Sequence, residues 1–449
     1  MRALARLGLV LCLAVPALAQ GAPALTTKDL AGSVQSARLS RTVDRLASFG
    51  TRHTLSDAFT HNRGIGAARV WLGAEFQSLT RLPGSRLVAF EDGFRAEPGP
   101  LLARPAELAN LGVLLPGMDP QRRKEALVVL AHYDSRASDP ADAQADAPGA
   151  VANASGVALV LEMATVLAAQ QPAIGIYFVA TAAGEQGRLG SQRLLQRLQA
   201  EGTRIVGMVA ADAVGSSAGP GGAKNSGAVR LFSEDGIPAQ EGDGQRRIRE
   251  LLGTANDGAS RELARYLKRF GERYVDGLEG VVMLRKDRLG RIGEQDPFAR
   301  AGVPAVGVAE LVDNYDRLRQ NVRVDGSRGF GDTAASFDPG YCARVTRMLV
   351  AGFRTLAFAP AAPTNVGLGG AGTTNARLWW TLPDDPRIAG ILVFRRRADS
   401  VAWQVDAAFP KSESLTLPGV DPDNDCFAVA TVDAQGNPSL PVAPRSLEF

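Results

Sequence analysis

Histidine and cysteine are both scarce: the 449 residues hold three of each, and lysine is little commoner, at six against 44 arginines. With histidines only at 53, 61 and 132, a histidine-rich metal centre is excluded. Cys12 falls in an N-terminal apolar segment, so only Cys342 and Cys426 remain, too few for a disulfide framework. They sit in segments of different character and are expected to be unpaired thiols. Net charge is low as well, at +3, and gives no electrostatic reason to expect nucleic acid or acidic lipid as a partner. After the N-terminus no run reaches about 18 consecutive apolar residues, so no membrane span is expected.

What is present begins with "MRALARLGLVLCLAVPALAQ": Arg2 and Arg6, an apolar run, then Ala17-Leu18-Ala19. This is the pattern of a signal peptide over residues 1–19, which implies export to the periplasm or the medium. Its removal takes two arginines and lowers the net charge from +3 to +1. The remaining length exceeds one ordinary core, so two domains are expected.

Between residues 20 and 358, short Val- and Ile-rich runs alternate with helical spacing. "ALVVLAHYD" (126–134), "IGIYFVATAAGE" (174–185), "IVGMVAADAVG" (205–215) and "VPAVGVAEL" (303–311) read as strands. Segments 156–169, 189–201, 259–273 and 339–355 read as helices. The alternation predicts an α/β domain with a mostly parallel sheet flanked by helices. In such sheets functional side chains gather at the carboxyl ends of strands, where His132, Asp134, Glu185 and Asp212 fall.

"APAAP" (359–363) reads as a linker. From 364 to 449 the helical period gives way to short alternating runs, "ARLWWTL", "GILVFRRR", "VAWQV", "SLTLPGV" and "CFAVATVD", with Trp379, Trp380 and Trp403 among them. They predict a small all-β sandwich that resembles a fibronectin type III domain, with the role of an accessory module.

The α/β part carries a second resemblance. "LASFGTRHTLS", "GIGAARVWL", "FARAGVPAVGV" and "DPGYCARVTRML" frame "AHYDS", "GAVANASG", "GEQGRLGS", "VAADAVG" and "GEQDPF". Together these resemble the exported co-catalytic zinc aminopeptidases, peptidase family twenty-eight, which includes bacterial leucyl aminopeptidases and plasma glutamate carboxypeptidases. The resemblance implies a zinc-exopeptidase-like (phosphorylase/hydrolase-like) fold. It implies His132 as a ligand of the first zinc, Asp134 as the residue orienting it, Glu185 as a ligand of the second zinc and Asp212 as a ligand of the first. It also exposes three departures. The acid that bridges both zincs is Ala152, the general base is Gly184, and the last histidine ligand is Gln295.

A catalytic zinc usually takes three protein ligands and leaves one position open, and neither site keeps three. A positioned base is worth about 10²–10⁴ in rate, and Gly184 has no side chain to act as one. The expectation is a peptidase-like protein without a cofactor, zinc being the metal if any is held, that binds a peptide or protein partner. The alternative is an active metallo-aminopeptidase with one weakly held zinc. A glutaminyl cyclase would need Ala152 and Gln295 to be acid and histidine.

Asp142, Asp146 or Glu294 would have to supply a ligand if the motifs were misaligned. His53 and His61 are expected in surface or capping roles. Without metals the retained carboxylates need another cation, and Arg188 is the candidate, with Arg317 or Arg319 beside it. A role carried by the sandwich would vanish on deletion of 359–449, whereas a role in the α/β cleft would survive it.

Overall fold

A computed structural model describes residues 25–235, 242–252 and 256–448; the segment read as a signal peptide lies outside them. Three helices come first: α1 (Thr27–Gly32), α2 (Ser36–Ala47) and α3 (Gly64–Leu79). The strands β1 (Val88–Ala96), β2 (Ala106–Leu115) and β3 (Glu125–His132) lead to α4 (Ser155–Leu167), and β4 (Gly175–Thr181), α5 (Leu189–Ala200) and β5 (Arg204–Ala211) follow. Next come β6 (Ala228–Phe232), α6 (Asp243–Leu251), α7 (Ala259–Tyr266), β7 (Glu279–Met283), α8 (Asp296–Arg300) and β8 (Ala305–Glu310). A short hairpin, β9 (Arg323–Asp325) and β10 (Arg328–Phe330), precedes the long helix α9 (Pro339–Phe358).

Eight strands form one sheet in the order β1-β2-β4-β3-β5-β8-β6-β7. Its centre, β4-β3-β5-β8, is parallel, while β1, β2 and the β6–β8 pairing are antiparallel. The central strands β4, β3, β5 and β8 run almost wholly apolar because both faces are covered. Leu127, Val129 and Ala131 of β3 enter the core shared with α4 and α9; Ala126, Val128 and Leu130 enter the core with α5 and α8. Residues 150–167 are apolar enough to cross a membrane, at mean hydropathy 1.7, yet 89% of that stretch is buried inside the protein.

The C-terminal part has two small sheets: β11 (Thr364–Gly369), β12 (Asn375–Thr381), β15 (Ser414–Pro418) and β17 (Ser446–Leu447), against β13 (Gly390–Arg397), β14 (Val405–Pro410) and β16 (Asp425–Val432). Val366, Leu378, Trp380, Ile391, Val393 and Phe427 fill the space between them. "VAWQV" is not a strand: Trp403 precedes β14, and its Nε1 donates to Glu262 of α7 at 2.8 Å. Nor is "APAAP" a free linker. Ala359 O accepts from Arg122, Ala361 N donates to Asp385, and Ala361 O accepts from Thr431. Cys342 and Cys426 are both free thiols.

Candidate active site

The site is built where β3, β4 and β5 end side by side. His132 is the last residue of β3 and pairs with Thr181, the last of β4. Its Nδ1 lies 3.1 Å from Asp134 O and 3.4 Å from Asp134 Oδ1, and its Nε2 lies 3.8 Å from Asp212 Oδ1. Asp134 is fully buried and accepts the backbone N–H of Gly184 at 2.7 Å and of Glu185 at 2.9 Å. It therefore ties the end of β3 to the turn after β4. Burial opposes charge on both groups, but each holds the other ionised: Asp134, Asp212 and Glu294 raise His132 well above its ordinary pKa, while His132 and the two N–H groups hold Asp134 below its own.

The two retained carboxylates beyond this pair each meet a guanidinium. Arg288 Nη2 is 2.5 Å from Asp212 Oδ2, and Arg319 Nε donates to Glu185 Oε1 at 2.7 Å. Arg136 approaches the other oxygen of Glu185 at 4.0 Å. Burial alone would raise Asp212, but Arg288, His132 and Arg319 bring it well below the usual carboxylate range. Arg188 does not take this role. It starts α5 with a positive φ of 63°, which turns it toward the next loop, where Nη1 donates to Ile292 O at 2.9 Å and Nη2 lies 3.8 Å from Asp296. Arg317 acts electrostatically on Asp332 instead.

At position 152 there is no polar surface. Ala152 packs with Val151, Ala213 and Leu318 in a small apolar cluster. The N–H groups of Val151 and Ala152 are held by Asp332 Oδ1 and Oδ2 at 2.8 and 2.7 Å. Gly184 packs on His132 so closely that a Cβ there would lie 2.4 Å from His132 Cβ and Cγ. Gln295 turns away: its Nε2 donates to Lys286 O and Asp287 Oδ2, both at 3.0 Å. Its neighbour Glu294 faces inward, accepts from Thr181 Oγ1 at 2.6 Å, and is pushed up to about 7 by burial against the lowering effect of His132.

Asp142 caps its own exposed turn, and Asp146 pairs with Arg63 at the surface. His61 is exposed, but His53 is buried, not superficial: Nδ1 accepts from Leu55 N, which is a capping role, and Nε2 meets Pro140 O at 2.9 Å. Sequence reasoning missed Arg52, which is wholly buried and donates to Tyr133 O, Leu46 O and Gly149 O, lashing the "HYD" and "APGA" turns together. Its signal was an arginine set in the otherwise uncharged "SFGTRHT".

A zinc ion does not fit these residues. Among the described residues no group of three or more His, Cys, Asp or Glu side chains is arranged to hold a metal. Of the carboxylate oxygens of Asp134, Glu185, Asp212 and Glu294, only Asp212 Oδ1 is buried without a hydrogen-bond partner. One carboxylate oxygen and one imidazole fall short of the three ligands that such a metal needs. Between His132, Gly184, Arg188, Asp212, Glu294 and Arg319 remains a cavity of 10 Å³, room for about one water.

This fold, and the motifs that meet in it, define a zinc-exopeptidase-like scaffold. Residues 110–323, from β2 to β9, match peptidase family M28. A probable zinc metalloprotease of Leptosphaeria maculans is 31% identical over 428 residues, covering 95% of this chain and 98% of that protein. A probable zinc metalloprotease of Pyricularia oryzae is 34% identical over 425 residues, covering 92% and 83%. The chain belongs to peptidase family M28. The LapA aminopeptidase of Legionella pneumophila superposes with a TM-score of 0.52 at 17% identity, over 74% of each chain, a likeness of fold.

Proposed function

We propose that this member of the family binds peptide or protein segments without hydrolysing them, as a metal-free relative of the zinc aminopeptidases. The observation that carries the reading is the pair of guanidinium groups, Arg288 on Asp212 and Arg319 on Glu185, where the family resemblance calls for metal ligands. Ala152 in its apolar cluster and Gly184 against His132 support it, since the first has only apolar neighbours to meet an acid and the second has no room for a side chain. Four of the five non-glycine residues with positive φ among the described residues lie around this site: Ala183, Arg188, Ala213 and Arg319. Such strain persists where surrounding structure over-determines it and clusters at functional sites, which supports continued use of the cleft.

In this reading residues 20–358 form the peptidase-like domain, and residues 364–449 are a fibronectin type III-like accessory module. The pattern of residues 1–19 supports action outside the cytoplasm. The relatives' names favour the second reading, an active metallo-aminopeptidase holding one zinc through His132, Asp212 and Glu185. Elemental mass spectrometry decides between them. The purified mature protein is exposed to micromolar zinc and passed through gel filtration, and aminoacyl-coumarin hydrolysis is assayed in parallel. Zinc at background with no hydrolysis is expected; one or two zincs per chain with turnover would restore the enzyme.

A further inference from the structure

Arg136 and Arg319 share a single carboxylate, Glu185, which lies within 4.0 Å of both. Arg319 spends only its Nε on that contact, and Arg136 makes no hydrogen bond to any described residue. Both side chains are about a quarter exposed, at 24%, and Arg319 lines the cavity beside His132 and Asp212. Behind them Arg291 is half-buried; none of its three guanidinium nitrogens has a hydrogen-bond partner, the nearest carboxylate oxygen being Asp313 Oδ1 at 3.5 Å. Arg288, the fourth guanidinium, is spent on Asp212, Asp287 and Asp313. Burial, and then repulsion among these groups, weakens the protonated forms of Arg136 and Arg291, with only the exposed Asp139 helping Glu185 near Arg136.

A cluster of cations with unspent donors, of which two are reachable, calls for an anion. Guanidinium forks match the two oxygens of a carboxylate, and such charge-assisted bonds strengthen in a partly buried setting. The rim is not only charged. Ile292, 45% exposed, lines the same cavity as Arg319, and Leu289 on that loop is 87% exposed. Apolar contacts beside the cations fit a peptide better than a small inorganic ion.

We infer that the mouth of this site receives a carboxylate of a peptide ligand, with Arg136 and Arg319 as its donors and Ile292 and Leu289 as its apolar flank. The inference rests on the binding role proposed above and names its ligand class: an acidic residue, or a chain terminus, next to an apolar one.

Isothermal titration of the full mature protein, washed free of metal and with its zinc content recorded, tests it. The probes are acetyl-Leu-Glu-Leu-amide, the otherwise identical peptide with Gln for Glu, and inorganic phosphate. The Glu peptide should bind saturably and the Gln peptide about tenfold or more weakly, as loss of a charge-assisted bond predicts. Arg136→Ala should weaken the Glu peptide alone by a similar factor, and Arg136→Lys should recover part of it. Arg136 is the first variant because it makes no hydrogen bond that folding would lose, and a thermal melt checks that it is folded.

Equal binding of the two peptides, no binding of either, or an Arg136→Ala variant with parental affinity would overturn the inference. So would saturable phosphate binding without binding of the Glu peptide. The two proposals fail separately. Zinc found on the chain with turnover sinks the metal-free reading, whereas a zinc-free protein indifferent to peptide charge sinks only this one.

Discussion

Adding a single methyl group at position 184 probes how tightly the turn after β4 packs on His132. A Cβ on Gly184 would fall 2.4 Å from both Cβ and Cγ of His132 and 2.9 Å from its Cδ2. The first two atoms cannot swing away, because His132 Cβ is fixed to a backbone paired with β4 and the ring is held between Asp134 and Asp212. Either β3 or the turn after β4 must shift, and that turn is pinned by the two N–H bonds to Asp134. Overpacking of this kind costs about 1–3 kcal/mol, so Gly184→Ala should lower the urea midpoint, followed by tryptophan fluorescence. Gly184→Glu should be no more stable and should not restore hydrolysis. Gly73→Ala in α3 is the control: no atom lies within 4 Å of its added Cβ, and removing a helical glycine should stabilise by about 0.5–1 kcal/mol. A Gly184→Ala protein as stable as its parent would refute the steric argument, and zinc-dependent turnover by Gly184→Glu would refute the reading of the site.

Arg288→Ala should destabilise by about 3–5 kcal/mol, because it takes a shared cation from the buried Asp212, Asp287 and Asp313 together, and adding Asp212→Asn should recover part of the loss; a harmless single variant would show that Arg288 is not the counter-cation. Glu262, buried between Arg265 and Trp403, is raised by burial from 4.5 to about 7 even though Arg265 lowers it. An acid raised in the folded state keeps its proton longer than in the unfolded chain, so stability should fall as pH rises from about 4.5 to about 7. Glu262→Gln should flatten that part of the profile in urea titrations. Deletion of 359–449 should give an aggregated protein by gel filtration. Phe394, Trp403 and Leu440 belong to the core of the α/β part, and Asp257 and Glu262 would lose Arg396 and Trp403. A monodisperse, folded truncation would show the two parts to be independent.

The parallel strands were legible because burial on both faces demands unbroken Val and Ile, and the runs ending at His132, Glu185 and Asp212 stand out for that reason. The outer strands β1 and β2 are not so marked. "VAFEDGFRA" carries three charges, since it lies at the sheet edge with most of its residues exposed or half-buried. Which carboxylates survive could be read from motif spacing. Of the arginines that answer them, Arg319 was among the candidates, whereas Arg288 was not, because it comes from the charged loop "LRKDRLGRIG", which reads as solvated. A charge run says nothing about where its side chains point; Arg188 drew notice because the family resemblance implies an apolar residue at its position. Leu318 left a faint signal, a lone apolar residue between charged neighbours in "DRLRQ".

The substitutions at this site make sense together rather than singly. Three carboxylates lie at the strand ends, Asp134, Glu185 and Asp212, and each has a cation against it: His132 on Asp134, Arg319 with Arg136 on Glu185, and Arg288 on Asp212. Two dications about 3.5–4 Å apart need a bridging acid to screen them; beside the single charges found here, a further carboxylate would have nothing to neutralise it. Ala152→Asp alone should therefore not recover zinc. It would press a charge into the cluster of Val151, Ala213 and Leu318, where an unpaired ion is driven to its neutral form. The expected outcome is a less stable protein with zinc still at background by elemental mass spectrometry. Stable zinc binding by this single variant would mean that Arg288 and Arg319 yield readily to a metal, and that the carboxylates are still ligands in waiting.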